Sequence, residues 1–165
     1  MFEAGQLVIY GNAGVCNIRE IRQNPADNRS YYVLDPLYQS CTISVPVDSK
    51  VFIRPIMTCA EANALIDRIP DIPAEPCQNR SVQQLTEHYR LSLESHDCSE
   101  LLRLTKSIYL KKQNAAQQNR KLGSVDERFM KRAEELLFGE LAAALSIPLE
   151  KVTEYIGIRL EKAKD

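Results

Sequence analysis

Histidine is nearly missing from this chain, which has only His88 and His96, and its five cysteines (Cys16, Cys41, Cys59, Cys77 and Cys98) form no CxxC pair. A structural zinc site needs ligands clustered in pairs on short loops, and a disulfide framework needs an even set. This odd, dispersed set argues against both. The cysteines are expected to be reduced, mostly buried thiols, and a Cys–His nucleophile has no local setting. No run approaches the ~18 apolar residues of a membrane span, and MFEAGQLVIYGNAG has neither a basic leader nor a cleavable apolar core. A cytoplasmic protein without membrane contact is expected. Catalytic constellations are missing too. The pairs Glu134/Glu135 and Glu87/Glu94 have no metal or glycosidase context and read as solvated helix faces. Gly11-Asn12-Ala13-Gly14 lacks the Lys-Ser/Thr of a triphosphate loop and precedes a strand, so it reads as a tight hairpin turn. The expectation is a protein that is not an enzyme, with no cofactor and no metal.

What is present is a folded composition: 165 residues, 44% hydrophobic and 26% charged, enough for one domain or two small ones. From Gln6 to Pro55 the runs QLVIY, VCNIREI, YYVLD, CTISV and VFIRP recur at strand spacing with turn residues between them, predicting a small β-barrel over residues 1–57. At Thr58 the period changes. Thr58 and Glu61 form a capping box ahead of Ala62, Leu65, Ile66 and Ile69, predicting a short helix. Pro70, Pro73 and Pro76 then suggest a stiff extended linker, so residues 58–80 read as short helix plus linker. Ser81 with Gln84, Asp97 with Glu100 and Ser124 with Glu127 predict helix starts, Gly123 a turn, and Pro148 the first turn of a last helix. Residues 81–165 are thus expected to form an all-α helical bundle, giving an α+β protein of two domains.

One stretch separates charge strongly. Arg103 to Arg132 holds nine Lys/Arg against Asp126 and Glu127, a local net of +7 in a chain of net charge −1. Arg120, Lys121, Arg128, Lys131 and Arg132 flank the expected helix start at Ser124, where unpaired backbone N–H groups and the helix dipole favour an anion. A phosphate backbone is the expected partner. An ordinary solvated face is the bland alternative. Leu85 and Tyr89, at helical spacing, read as core.

Three segments resemble the CarD/CdnL family of bacterial transcription regulators. FEAGQLVIYGNAGVCNI has a Phe, a Gly-x-x-Val-x-Tyr strand and a Gly-Val leading to an Ile. CTISVPVDS is similar to the family's Val-Pro segment, and AEELLFGELAAAL to the signature of its helical domain. The resemblance implies that the barrel is a Tudor/SH3-like module binding the β subunit of bacterial RNA polymerase through an exposed strand. By position that strand is Thr42, Ile43 and Ser44, partnered by the segment around Arg22. Family members often carry arginine where this chain has Ser44. The resemblance also implies that the helical domain touches promoter DNA at the upstream edge of the bubble and stabilises the open complex. The family usually presents a tryptophan as a minor-groove wedge, whereas this chain has none; alignment on Tyr89-Arg90 and Leu93 puts Leu85 there. Leucine is among the apolar residues that can insert at base steps. The expected DNA-contacting set is Leu85, Arg120, Lys121, Ser124, Arg128, Lys131 and Arg132, on a monomer held largely without regard to sequence. The rival expectation is a protein–protein adaptor whose basic stretch is only solvated.

Overall fold

A computed structural model of the chain describes residues 2–76 and 81–164; Cys77 and the last part of the 58–80 segment lie outside the described residues. Strands β1 (Leu7–Tyr10), β2 (Gly14–Asn24), β3 (Arg29–Pro36), β4 (Ile43–Pro46) and β5 (Ile53–Pro55) form one antiparallel sheet in the order β4-β3-β2-β1-β5. Each strand falls on one of the Val/Ile/Tyr-rich runs. The β1–β2 link is the expected tight turn, with Gly11 and Gly14 at φ 44° and 78° and Tyr10 paired directly with Gly14. Val8, Cys16, Ile18, Tyr32, Leu34 and Val45 pack together as the sheet's own core. The edges β4 and β5 share no ladder among the described residues.

An irregularity in β2 sets the outer face. Ile18 lies opposite Leu34 but Glu20 lies opposite Val33, so Arg19 has no partner across the ladder. Such a bulge shifts the two-residue period by one. Cys16 and Ile18 point inward before it, and afterwards Ile21 rather than Glu20 aligns with inward-facing Tyr32. Glu20 and Arg22 are thereby turned outward.

The second half contains α1 (Cys59–Asp67), α2 (Val82–Glu94), α3 (Cys98–Gln117), α4 (Ser124–Leu145) and α5 (Val152–Lys164). Capping boxes at Thr58/Glu61 and Ser81/Gln84 start the first two, and Asp97 caps α3 by accepting from the Ser99 N–H. The α3–α4 turn differs from expectation. It is made by Asn119 at φ 55°, with the Arg120 N–H donating to the Ala115 carbonyl at 2.8 Å, a left-handed helix ending that asparagine tolerates. Gly123, in extended conformation, is the N-cap of α4, and Ser124 is its first helical residue without a side-chain cap bond.

The segment before α2 belongs to this half. Leu65, Ile66 and Ile72 share one core with Leu101, Ile108, Leu137 and Leu141. Beyond α1, the Lys106 ammonium donates to the Ile69 and Ile72 carbonyls at 2.7 and 2.6 Å, and the Ser107 hydroxyl accepts from the Glu75 N–H at 2.8 Å. Carbonyls at a helix end need donors, and Lys106 provides them, so residues 69–76 lie against α3 instead of spanning open solvent. Asp67 of α1 is bridged by Arg159 of α5 at 2.7 Å.

The sheet meets the helices along α4. The Tyr38 hydroxyl donates to the Gly139 carbonyl at 2.9 Å, and a Cβ on Gly139 would stand 3.0 Å from the Tyr38 ring, so a glycine is what lets the ring lie there.

Candidate functional site

Pairing across the sheet places Glu20, Val33 and Ser44 in one row and Arg22, Tyr31 and Pro46 in the next. Directly opposed residues share a face, so Arg22 and Ser44 lie on one side of the sheet with Val33 and Tyr31 between them. The bulged Arg19 organises the neighbouring row. Its guanidinium donates to both Asp35 oxygens at 2.8 and 2.7 Å and reaches the Thr42 hydroxyl oxygen at 3.3 Å, while the Thr42 hydroxyl donates to Asp35, also at 3.3 Å. Arg22 is paired with Glu20. Farther along, the Tyr31 hydroxyl donates to Asp27; that bond lowers the Asp27 pKa and raises that of Tyr31. Of the residues expected to face a partner, Arg22, Thr42 and Ser44 are exposed, whereas Ile43 is half-buried against the sheet core. Ile43 offers its edge-strand backbone and the uncovered part of its side chain.

The same side of the sheet is covered toward β1 and β5. Arg54 and Val15 both lie opposite Ile9, and Arg54 is bound to Glu140 of α4. The open part is therefore the β2–β3–β4 end, a charged and hydroxylated face beside an edge strand. Arg19 and Asp35 belong to it and were not signalled by the sequence, because the bulge depends on which residue of β3 each residue of β2 opposes.

The basic stretch divides into internal and external members. Lys106 holds carbonyls, Lys111 bridges Asp126 at 2.9 Å, and Arg103 lies 4.0 Å from Glu100. Arg132 pairs with Glu135 at 3.3 Å and also donates to the Asn12 carbonyl in the β1–β2 turn. Arg128 is exposed with its guanidinium carbon 5.0 Å from the Phe129 ring centroid. Lys112, Arg120, Lys121 and Lys131 are exposed, and among the described residues their side chains make no hydrogen bond or ion pair. Arg120 and Lys121 lie in the α3–α4 turn, with Arg128 and Lys131 on the first turns of α4.

The start of α4 already holds an anion of the chain's own. Asp126 is 4% exposed and accepts from the Tyr89 hydroxyl at 2.5 Å and from Lys111. Its carboxylate curls back to within 3.4 Å of a Cβ position on Gly123. Together with Glu127 it meets the positive end of the helix, so part of the dipole around exposed Ser124 is already offset by acids of the chain itself. Leu85 is half-buried against the helical core, while Val82, one turn earlier on α2, is 68% exposed.

Other chemistry is sparse. Cys16 and Cys98 are buried, and burial pushes the Cys16 thiol up to about 11, away from the reactive thiolate. Cys41 and Cys59 are exposed, contrary to the expectation of mostly buried thiols. No group of three or more His, Cys, Asp or Glu fit to hold a metal occurs among the described residues. None of the described helices is long and apolar enough to cross a membrane.

With this geometry in place, the comparison with known families is specific to the sheet. Residues 2–57 match the CarD-like/TRCF RID domain. The match ends just before α1 and takes in the β2–β3–β4 face, the bulge and the β4 edge. RID domains are RNA polymerase β-interacting modules, so the sheet half is of a transcription-related kind. No curated protein matches the chain. The RID match covers about a third of the length, and the helical half stands on its structure alone.

Proposed function

We propose that this protein is a non-enzymatic transcription regulator that binds the RNA polymerase β subunit through the open sheet face and the β4 edge. In the same reading its helical half contacts promoter DNA near the upstream edge of the bubble and stabilises the open complex. The observation that carries the first part is the RID match over the whole sheet, whose β2–β3–β4 end presents exposed Arg22, Thr42 and Ser44 on its outer side and at the β4 edge. Arg22, Thr42 and Ser44 are the contacting side chains, with Arg19 and Asp35 holding Thr42 in place. The second part rests on Lys112, Arg120, Lys121, Arg128 and Lys131, exposed cations that among the described residues form no salt bridge, Lys112 lying near enough to Glu134 to oppose the upward pKa shift that burial gives that carboxyl. It acts as a monomer in the bacterial cytoplasm.

The test is binding of the full chain to purified polymerase and to its isolated β subunit. Wild type is expected to bind both, and Arg22→Glu with Thr42→Glu to weaken binding at least roughly tenfold, as removal of interface anchors does. Wild-type affinity in that variant sinks the docking surface. A second reading, an adaptor with a merely solvated basic face, is favoured by the internal engagement of Lys106, Lys111 and Arg132. Charge reversal at Arg120, Lys121 and Lys131 separates the two: unchanged promoter complexes at moderate salt leave only the adaptor.

A further inference from the structure

The contact between the two halves is built around one buried carboxylate. Glu140 of α4 is 1% exposed. It accepts from both terminal nitrogens of Arg54 on β5 at 2.7 Å each, from the Met57 N–H at 2.8 Å and from the Cys98 thiol at 3.1 Å. Arg54 donates further to the Pro55 and His96 carbonyls at 3.0 and 3.1 Å. A single side chain thus joins the sheet edge, the connection into α1 and the start of α3. Along the same face of α4, Gly139 receives Tyr38, and Arg132 reaches the Asn12 carbonyl. A seam of apolar side chains alone would permit sliding, because apolar contact has no preferred direction. A two-point guanidinium–carboxylate pair fixes both distance and angle, and its worth lies in that geometry more than in net stability.

We propose that Arg54 and Glu140 are positioning residues that hold the polymerase-facing side of the sheet in one orientation relative to the cations of the α3–α4 turn. The idea rests on the function proposed above. Docking on the sheet then presents the cations to nucleic acid at a set place, and the coupling between the two contacts passes through Glu140.

The experiment uses the full chain with Glu140→Gln, which keeps the volume and an acceptor for the Met57 N–H. A second variant, Gly139→Leu, pushes Tyr38 off α4 without touching the charge pair. Residual dipolar couplings of the isotope-labelled chain report whether sheet and helical amides share one alignment tensor. In parallel, affinity for the isolated β subunit and the half-life of promoter open complexes are measured. Wild type should show one tensor. Both variants should retain dispersed amide spectra for each half, and Glu140→Gln should bind the β subunit within about twofold of wild type, as expected for a change outside that surface. They should show two separate tensors and shorten the open complex by roughly fivefold or more, the lower end of site-to-site coupling. A single shared tensor in Glu140→Gln overturns the proposal whatever Gly139→Leu shows, as do separated tensors with an undiminished half-life. If the wild-type chain leaves the open complex unchanged, the proposed function fails instead, and the tensors still decide whether the pair holds the halves together.

Discussion

Lys111 of α3 and Asp126 of α4 form an ion pair at 2.9 Å, in which the carboxylate is nearly inaccessible and also receives the Tyr89 hydroxyl. The cation here neutralises an acid of its own chain. Lys111→Met would leave that carboxylate with a neutral donor only, so a loss of about 2–4 kcal/mol is expected in urea unfolding. Lys112→Met, at an exposed neighbour, should change stability by less than about 0.5 kcal/mol. Equal effects for the two would show that burial at Asp126 carries no energetic weight.

Salt dependence counts the cations that face outward. With Lys112, Arg120, Lys121, Arg128 and Lys131 exposed, the slope of log K against log salt for duplex DNA should be no steeper than about −4 to −5. Reversing Arg120, Lys121 and Lys131 should flatten it nearly to zero. A slope reflecting all nine cations of the stretch would mean that Lys106 and Lys111 leave their internal partners on binding.

Leu85→Ala is expected to cost about 1–2 kcal/mol of stability, roughly half the loss for a fully buried leucine. Val82→Ala, at an exposed site, should be within about 0.5 kcal/mol of wild type. Denaturant midpoints separate the two. A Leu85→Ala chain of wild-type stability with impaired bubble stabilisation would return Leu85 to the role of a wedge.

The strand half was legible in sequence because its signals are local: five β-rich runs, the Gly11–Gly14 turn, and the change of period at Thr58. The capping boxes at Thr58 and Ser81 were equally local. What escaped depends on partners distant in the chain. Asp126 meets Tyr89 and Lys111 only after α2, α3 and α4 pack, so a count of basic residues overstated the charge available to a ligand. Ser124 was one position out as a cap because glycine also serves at that position, and Gly123 takes it. Pro70, Pro73 and Pro76 do signal an extended path, but nothing in their spacing shows that Lys106 and Ser107 hold that path against α3.

A pH response is expected from His96, which stacks on Phe52 at 4.3 Å and follows Glu94 at the end of α2. Burial, then the nearby Arg54 charge, push its pKa below the ordinary 6.5, with Glu94 opposing. The unfolded chain therefore takes up this proton first. The contribution is intact above about pH 6.5 and is lost as pH falls through the interval down to the folded value. His96→Asn, which tolerates the left-handed backbone at φ 53°, should flatten the fall in thermal stability as pH drops below about 6.5. An unchanged profile would place the titration elsewhere.

Arg19 has no counterpart across the ladder, and so β2 behaves as two segments in opposite phase spliced at one residue. A regular strand of the same composition would set Glu20 opposite inward-facing Tyr32 and turn Arg22 to the core side, moving Ile21, already 37% exposed, to the outer face. Removing Arg19 outright would instead restore an ordinary ladder and keep Glu20 and Arg22 facing out. Only Asp35 and Thr42 would then lose their cation, so the strand can shed this residue and keep its face, whereas it cannot gain one there without turning the face over.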